Sequence, residues 1–560
     1  MDTHNVKNFD PHTLYFVPLG GCQEFGLNLN LYGYAGQWLA VDCGIGFAGD
    51  RYPGIDLLLP DTLFLEEQKK NLLGIVVTHA HEDHIGAIPY VWPRLKCPIY
   101  CTPFVASFLR RKCSEFEGVK GMVIHEIEPD QKLTIGPFGV GVIGVTHSTP
   151  STISLTLETP VGLVVHGNEW NLDPTPKAAI LTNREGFKQA GRKGVLAYVG
   201  DSTNAPFHGT SIGEKVVEDT FRDVVRAATG RVCVTMFASN IGRILSIAKV
   251  AREMGRQVCL AGRSLQTYVA VAGEHGLLSG LAPFISAREA AALPPQRVLY
   301  LVTGSQGERR AVMARVATQD YRDIQLSSGD TAIFSARPIP GNERDISEIK
   351  GQLLSGGINV IDVNTHPTIH ATGHPYRSEI EEMIDWVRPK ILIPIQGERF
   401  HLEAQADLAR QKQVPHVIVP ENGMVIALGE GGPRIDGFVT TGVLAIEPSR
   451  VMATDHPALR ERRQLNEAGV LSIAVVLGGK GHLVAPVRAT SLGLFDLDDP
   501  DDRAVLRKIE ETVTQTIHKN PSWAAAGLDA LSEEVRVVAR RVVHAAFGLK
   551  PKTMVHVIET

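Results

Sequence analysis

The sequence predicts an α/β protein of several domains. Three observations carry this. Short apolar strands near the start end in polar, histidine-bearing tips; a middle stretch alternates strands with helices; the last hundred or so residues have a separate character. The chain has 560 residues, which is three or four domains at roughly 150 residues each. Apolar residues make up 44% and charged residues 21%, which excludes wholesale disorder and a collagen-like fibre. No apolar run approaches the roughly 18 residues that a membrane span needs. Met1 to Pro11 shows no leader pattern of basic residues followed by an apolar stretch, so a cytoplasmic protein with no membrane association is expected. The net charge of −5 speaks against a broad basic surface but leaves room for a local basic channel. Cys22, Cys43, Cys97, Cys101, Cys113, Cys233 and Cys259 form no C-x-x-C pair and read as buried, reduced thiols.

Leu14–Pro18, Leu29–Tyr32 and Trp38–Val41 read as strands separated by glycine turns. Gly74–Thr78 is a buried strand that runs straight into histidines, and Val140–Val145 and Gly162–His166 repeat the arrangement. From about residue 205, helical stretches Val216–Ala228 and Arg243–Gly255 alternate with strands Val232–Phe237, Gln257–Leu260 and Val298–Val302. That alternation marks an α/β unit with a parallel sheet. Histidines return near residue 366, and Lys390–Ile395 is another strand with a polar tip. Glu430–Pro433 is a turn or linker, and Gly478-Gly479-Lys480-Gly481 is a turn between strands. In the small α/β C-terminal domain, Leu471–Leu477 is a strand and Phe495–Arg503 contains a solvated acidic loop. The final helix carries an apolar stripe at Val535, Val538 and Val542, then stops at Gly548 before Pro551. There is no internal repeat, and the five tryptophans form no stacking stripe.

The strongest local signal is Thr78-His79-Ala80-His81-Glu82-Asp83-His84. Imidazole and carboxylate are the usual zinc ligands, and a loop at a strand tip can aim several at one point. Two metals about 3.5–4 Å apart would generate hydroxide and clamp an in-line displacement. Chance is a poor account of three histidines and an aspartate within six positions. The turn Thr303-Gly304-Ser305-Gln306-Gly307-Glu308 can present backbone N–H groups to a phosphate, but it lacks the Lys-Ser/Thr of an ATP-binding P-loop.

His79-x-His81-x-Asp83-His84 resembles the metallo-β-lactamase superfamily motif. Nearly the whole chain resembles the ribonuclease J family, of the β-CASP branch. The segments that carry this include Gly20-Gly21-Cys22-Gln23-Glu24-Phe25-Gly26-Leu27-Asn28, Val41-Asp42-Cys43-Gly44 and Pro53-Gly54-Ile55-Asp56. Others are Gly200-Asp201-Ser202-Thr203-Asn204-Ala205, Phe237-Ala238-Ser239-Asn240, Ile339-Pro340-Gly341-Asn342-Glu343 and the tail Lys550 to Val557. The resemblance implies an αββα metallo-β-lactamase sandwich at 1–205 and 366–450. A β-CASP α/β domain is inserted at 206–365, and a C-terminal domain at 451–560 aids dimer or tetramer assembly. It implies RNA threaded between the two larger domains. Cleavage would be endonucleolytic and 5′-to-3′ exonucleolytic, on 5′-monophosphorylated RNA, with metal-bound hydroxide attacking phosphorus. One or two zinc ions are implied per chain, with manganese or magnesium as alternatives, in a homodimer or homotetramer.

Carried over by motif, His79, His81 and His147 would hold the first metal, and Asp83 and His84 the second. Glu169 would bridge them, and Gln396 would assist at the second. Asp42 would orient a ligand histidine from behind. Asp83, His370 and His374 would be catalytic, the last two contacting the scissile phosphate and protonating the leaving oxygen. Ser239, Asn240, Arg263, Ser264, Ser305 and Thr372 would contact substrate phosphate.

The chain departs from the family pattern at this centre. Glu169 stands where the family has aspartate, Gln396 where it has histidine and Asn171 where it has lysine. Ser151, Gly242 and Thr372 replace an aspartate, a histidine and a serine. An amide oxygen is a weaker zinc ligand than imidazole. Two other readings therefore stand beside a ribonuclease: a paralogue with an altered or mononuclear site acting on a small non-nucleic substrate, and an inactive partner subunit of a ribonuclease J.

Overall fold

Leu14–Gly20, the first apolar run, is buried along its whole length. In the computed structural model, which describes residues 6–447, 450–479, 481–519 and 527–560, this strand is central to the first of two large sheets. It pairs antiparallel with Leu29–Tyr34 on one side and with Met424–Leu428 on the other, so that Leu14 lies beside Leu428. Gln37–Val41, Leu72–Val76 and Ile99–Cys101 extend the sheet in turn, the last two added in parallel. The second sheet centres on Val195–Asp201. Gly162–Asn168 and Ile391–Ile395 flank it in parallel, and Ile153–Thr159 and Phe138–Gly144 follow antiparallel.

One core lies between the two sheets. Phe16, Val41 and Val76 from the first meet Val140, Leu155, Val199 and Ile393 from the second. On the far face of the second sheet, helices Arg184–Lys193 and Arg377–Val387 bury Phe187 and Ile380 against Tyr198 and Leu392. Helix Pro103–Cys113 packs beside the edge strand Ile124–Glu126 of the first sheet. The outcome is the αββα sandwich.

A third, all-parallel sheet is formed between residues 232 and 361. Its order is Gln257–Ala261, Val298–Val302, Val232–Thr235, Thr331–Phe334 and Asn359–Ile361. The chain leaves Val232–Thr235 toward one side of the sheet and Val298–Val302 toward the other. Such a reversal between neighbours is the topological switch point at which α/β sheets bind ligands beyond their strand ends. The segments leaving the two strands contain Ser239, Asn240 and Ser305.

The chain divides into two compact units, one of Met1–Phe47 and Leu58–Val443, the other of Ala48–Leu57 and Leu444–Thr560. The smaller unit has a sheet of Arg488–Leu492, Val470–Leu477 and Lys552–Glu559. Helices Pro500–Lys519 and Leu528–Phe547 cover it through Ile509, Val513, Ile517, Leu531, Val535, Ala539 and Val543.

Glu430–Pro433 is the turn of a hairpin between Met424–Leu428 and Arg434–Phe438, and the unit boundary falls later, after Val443. The acidic stretch is loop only as far as Asp499. Pro500 opens a helix whose first turn carries Asp501 and Asp502, where carboxylates complement the positive end of the helix dipole. The last helix buries Leu531, Val535, Ala539 and Val543, an i, i+4 row, and leaves Val538 and Val542 half-buried. Its neighbour buries Ile509, Val513 and Ile517 at the same interval, so matching rows interdigitate. Lys480 of the glycine-rich turn and Met1–Asn5 lie outside the described residues. All seven cysteines are buried and free. Among the described residues no helix is long and apolar enough to cross a membrane.

Candidate metal centre

The chemistry-bearing residues sit just beyond strand ends. Leu72–Val76 runs into His79, His81, Asp83 and His84, its parallel neighbour Gln37–Val41 ends at Asp42, and Phe138–Gly144 leads to His147. In the second sheet, Glu169, Asp201 and Gln396 stand at the carboxyl ends of three parallel strands. Asp42, Asn168 and Gln396 adopt left-handed backbone angles, with φ of 63°, 52° and 60°. Such strain in residues other than glycine is uncommon and clusters at functional sites.

Four donors converge first. His81 Nδ1 is 3.0 Å from His79 Nε2 and 3.1 Å from His147 Nε2. Glu169 Oε2 lies 3.3 Å from His79 Nε2, 2.9 Å from His147 Nε2 and 3.8 Å from His81 Nδ1. A tetrahedral zinc ion with donors about 2.0–2.2 Å away sets them about 3.3–3.6 Å apart. These separations scatter around that value, so the residues present fit zinc.

The outward nitrogens agree with this. His147 Nδ1–H donates to Gly373 O at 2.8 Å, and His81 Nε2 meets Ser148 Oγ at 3.2 Å. His79 Nδ1 meets Thr78 Oγ1 at 3.1 Å, and that hydroxyl donates to Asp42. The Gly373 carbonyl and the Thr78 hydroxyl fix the tautomers that leave the inward nitrogens of His147 and His79 with a free lone pair, and the Ser148 hydroxyl is able to accept from His81 in the same way. Burial, then His84, hold the His79 imidazole well below the usual histidine range; burial likewise lowers His147. Both are thus neutral, the ligand form.

A second group shares the other oxygen of Glu169. His84 Nε2 is 2.8 Å from Glu169 Oε1 and 3.6 Å from Asp83 Oδ2, and its Nδ1–H donates to Asp42 Oδ2 at 2.8 Å. Burial opposes the charged form of His84, but the Glu169, Asp83 and Asp42 carboxylates outweigh it and hold the ring well above its usual range. Glu169 is opposed by burial and held well below the usual carboxylate range by His84, His374 and His79. Gln396 is buried, and its side-chain oxygen has no hydrogen-bond partner among the described residues.

The structure separates the two histidines at 370 and 374. His374 packs edge-on against His147, with ring centres 5.4 Å apart, and its Nδ1–H donates to Asp201 Oδ2 at 2.8 Å. Burial lowers its pKa, but Asp201 and Glu169 prevail and push it up to about 9. His370 instead turns its Nδ1 to Ser335 O at 3.1 Å. Burial, Arg243 and Arg337 hold it well below the usual range.

The phosphate-contact candidates are spread over the third sheet and the loop at 372. Asn240 uses its side-chain oxygen to cap helix Ile241–Glu253, accepting from Arg243 N–H at 2.8 Å. Ser239 and Ser305 are buried beside the switch point. Arg263 and Ser264 are exposed in the first turn of helix Arg263–Glu274. Thr372 Oγ1 accepts from His374 N–H and from Asn204, so it shapes the histidine loop. Asn171 donates to the Thr372 carbonyl at 3.2 Å. A side chain at Gly242 would come within 2.5 Å of Lys177 O, so the histidine of the family pattern does not fit this backbone. Ser151, with φ of 57°, accepts from Thr102 through its carbonyl.

Sequence reading missed Asp201, Ser148, Asn28 and Tyr268. Asn28 Nδ2 is 3.0 Å from both Asp83 O and His84 Nε2. Tyr268 stacks on Phe108 and donates its buried hydroxyl to Ala80 O, between His79 and His81, at 2.6 Å. Tyr268→Phe is expected to weaken zinc retention about 10-fold, the usual cost of losing an outer support of a ligand loop. Competition with a chromophoric chelator measures it.

Four family models match. "Beta-lactamase superfamily domain" covers residues 37–172 and "Ribonuclease J, beta-CASP domain" 229–353. "Zn-dependent metallo-hydrolase RNA specificity domain" covers 360–420 and "Ribonuclease J C-terminal domain" 457–560. The chain is 38% identical to Ribonuclease J of Sinorhizobium meliloti over 97% of each chain. It is 34% identical to Ribonuclease J of Mycolicibacterium smegmatis, over 89% of this chain and 90% of that one. A crystal structure of a protein of unknown function from Enterococcus faecalis V583 shares the fold, with a TM-score of 0.53. It is 17% identical and covers 74% of this chain and 100% of its own. The chain belongs to the ribonuclease J family.

Proposed function

We propose that the chain is a metal-dependent ribonuclease that cleaves RNA phosphodiesters internally and from 5′-monophosphorylated ends. One observation carries this reading: a four-donor metal group with a paired, charged imidazole, His374, packed against its ligand His147. Family membership supports RNA as the substrate. Zinc at His79, His81, His147 and Glu169 supplies a nucleophilic water near neutral pH and polarises a phosphoryl oxygen.

The chain's own residues divide the remaining work. Asp201 accepts the Nδ1 proton of His374, and its other oxygen is held by Thr203 N–H and Oγ–H. His374 therefore keeps a proton on Nε2 at neutral pH and gives it to the leaving oxygen. His370 is neutral there and its one N–H faces the Ser335 carbonyl, so it is no acid for the leaving oxygen and its role is contact with substrate. Ser239, Asn240 and Ser305 line the switch point, and Arg263 and Ser264 offer a helix N-terminus and a cation to the 5′-phosphate. The family supports a cytoplasmic homodimer or homotetramer and the domain divisions at 205, 365 and 450.

The test is degradation of end-labelled 5′-monophosphorylated RNA by zinc-loaded protein, with His79→Ala as control. Cleavage that the control lacks supports the reading. Intact RNA from protein that holds its metal overturns it and turns the search to small esters and amides.

The pH profile gives a finer check. A general acid must be protonated, so activity falls as pH rises through the pKa of His374, near 9. Asp201→Asn removes the largest influence that raises it. The basic limb is expected to move down by about 1–2 pH units toward the ordinary histidine value. A limb that stays in place assigns the acid elsewhere.

A further inference from the structure

The two cation positions share one carboxylate, Glu169, yet their donors are unlike. The first has three imidazole nitrogens and one carboxylate oxygen, a nitrogen-rich set. Every one of its imidazoles has its outward nitrogen engaged, by Thr78, Ser148 or the Gly373 carbonyl. The second has one imidazole, His84, and two carboxylates, Asp83 and Glu169. Near it the nitrogen of the Asn28 amide, not its oxygen, lies 3.0 Å from His84 Nε2 and 3.4 Å from Asp83 Oδ2. Its bond to the Asp83 carbonyl fixes that orientation, since a flip would set two oxygens against each other. An amide N–H2 offers a cation no lone pair.

Gln396, at the end of the strand beside Asp201, carries an amide oxygen that is buried and has no hydrogen-bond partner among the described residues. Burying such an oxygen unpaired costs free energy, which a cation offsets. The protein donors that remain are thus mostly oxygen. Imidazole suits zinc, whereas carboxylate, carbonyl and water suit manganese and magnesium.

We propose that the centre is chemically split: His79, His81, His147 and Glu169 hold one zinc ion tightly, while Asp83, His84 and Glu169, with Gln396, take a hard divalent cation weakly and exchangeably. This rests on the metallo-hydrolase reading above and deepens it. The second ion occupies the position with the chain's unusual glutamine, so that position loads only where manganese or magnesium is plentiful.

The experiment counts ions in the full chain and does not read activity. Protein dialysed at fixed, low free zinc is expected to keep about one zinc per chain by atomic emission. Manganese titration, followed by loss of the free-ion EPR signal, should then show one further site. Asp83→Asn should abolish manganese uptake and leave the zinc count unchanged, whereas His147→Ala should lose the zinc. Gln396→His gives the second position an imidazole and should raise the retained zinc toward two. It also guards against a variant that simply misfolds. Two zinc ions retained by the unaltered chain, or manganese uptake indifferent to Asp83→Asn, would overturn the proposal. One zinc and one manganese with no RNA cleavage would uphold it and sink only the ribonuclease reading.

Discussion

Gly44→Ala is expected to abolish cation binding at the second position, that of Asp83 and His84. Gly44 lies two residues after Asp42, directly under the ligand loop. A methyl group there would stand 1.6 Å from Asp83 O, 1.9 Å from Asp83 C and 2.5 Å from His84 N. These are backbone atoms, so no rotamer change relieves the overlap. The same backbone is stitched in place, because Cys43 N–H donates to His84 O at 2.7 Å and Gly44 N–H to Asn28 O at 3.0 Å. The loop must move by more than an ångström, and Asp83 and His84 move with it. Overpacking a rigid site costs roughly 1–3 kcal/mol or more, and a ligand set displaced this far loses its geometry. The variant should take up less than about a tenth of the normal manganese, and its thermal midpoint should fall by several degrees. Calorimetry and metal analysis check both.

Glu169→Ala should be nearly as severe. The carboxylate lies 2.8 Å from His84, 2.9 Å from His147 and 3.3 Å from His79, and it is buried. Without it His79, His81 and His147 face one another with no carboxylate between them, and His84 keeps only Asp83 and Asp42. Breaking a buried charge pair costs about 3–5 kcal/mol, which as affinity is roughly a 10²–10⁴-fold loss. Zinc affinity and RNA turnover should fall together. A variant that keeps its zinc but not its turnover would move the carboxylate from ligand to reaction partner.

The ligand loop was legible because its residues are contiguous at a strand end, and His147 and Glu169 because each follows a strand of the same kind. Asp201, Ser148, Asn28 and Tyr268 were not legible as site residues. Each acts through a tertiary approach that no local pattern encodes; Tyr268 reaches Ala80 from a helix of another sheet. His370 and His374 share an i, i+4 spacing that suggests one face. His370 is extended, with φ of −141°, and the loop after it turns the second ring to Asp201. The stripe of the last helix was misplaced because its partner, and not its own composition, selects the row that is buried.

The pairing of Leu14 with Leu428 has a consequence for how the protein comes into being on the ribosome. The first strand of the chain waits for one of the last strands of its unit, and Val195–Asp201 waits for Ile391–Ile395. Contacts this distant in sequence form late. The ligand loop, Asp201 and Gln396 thus come together only after about four hundred residues have emerged, so the nascent chain is synthesised without a finished cutting centre.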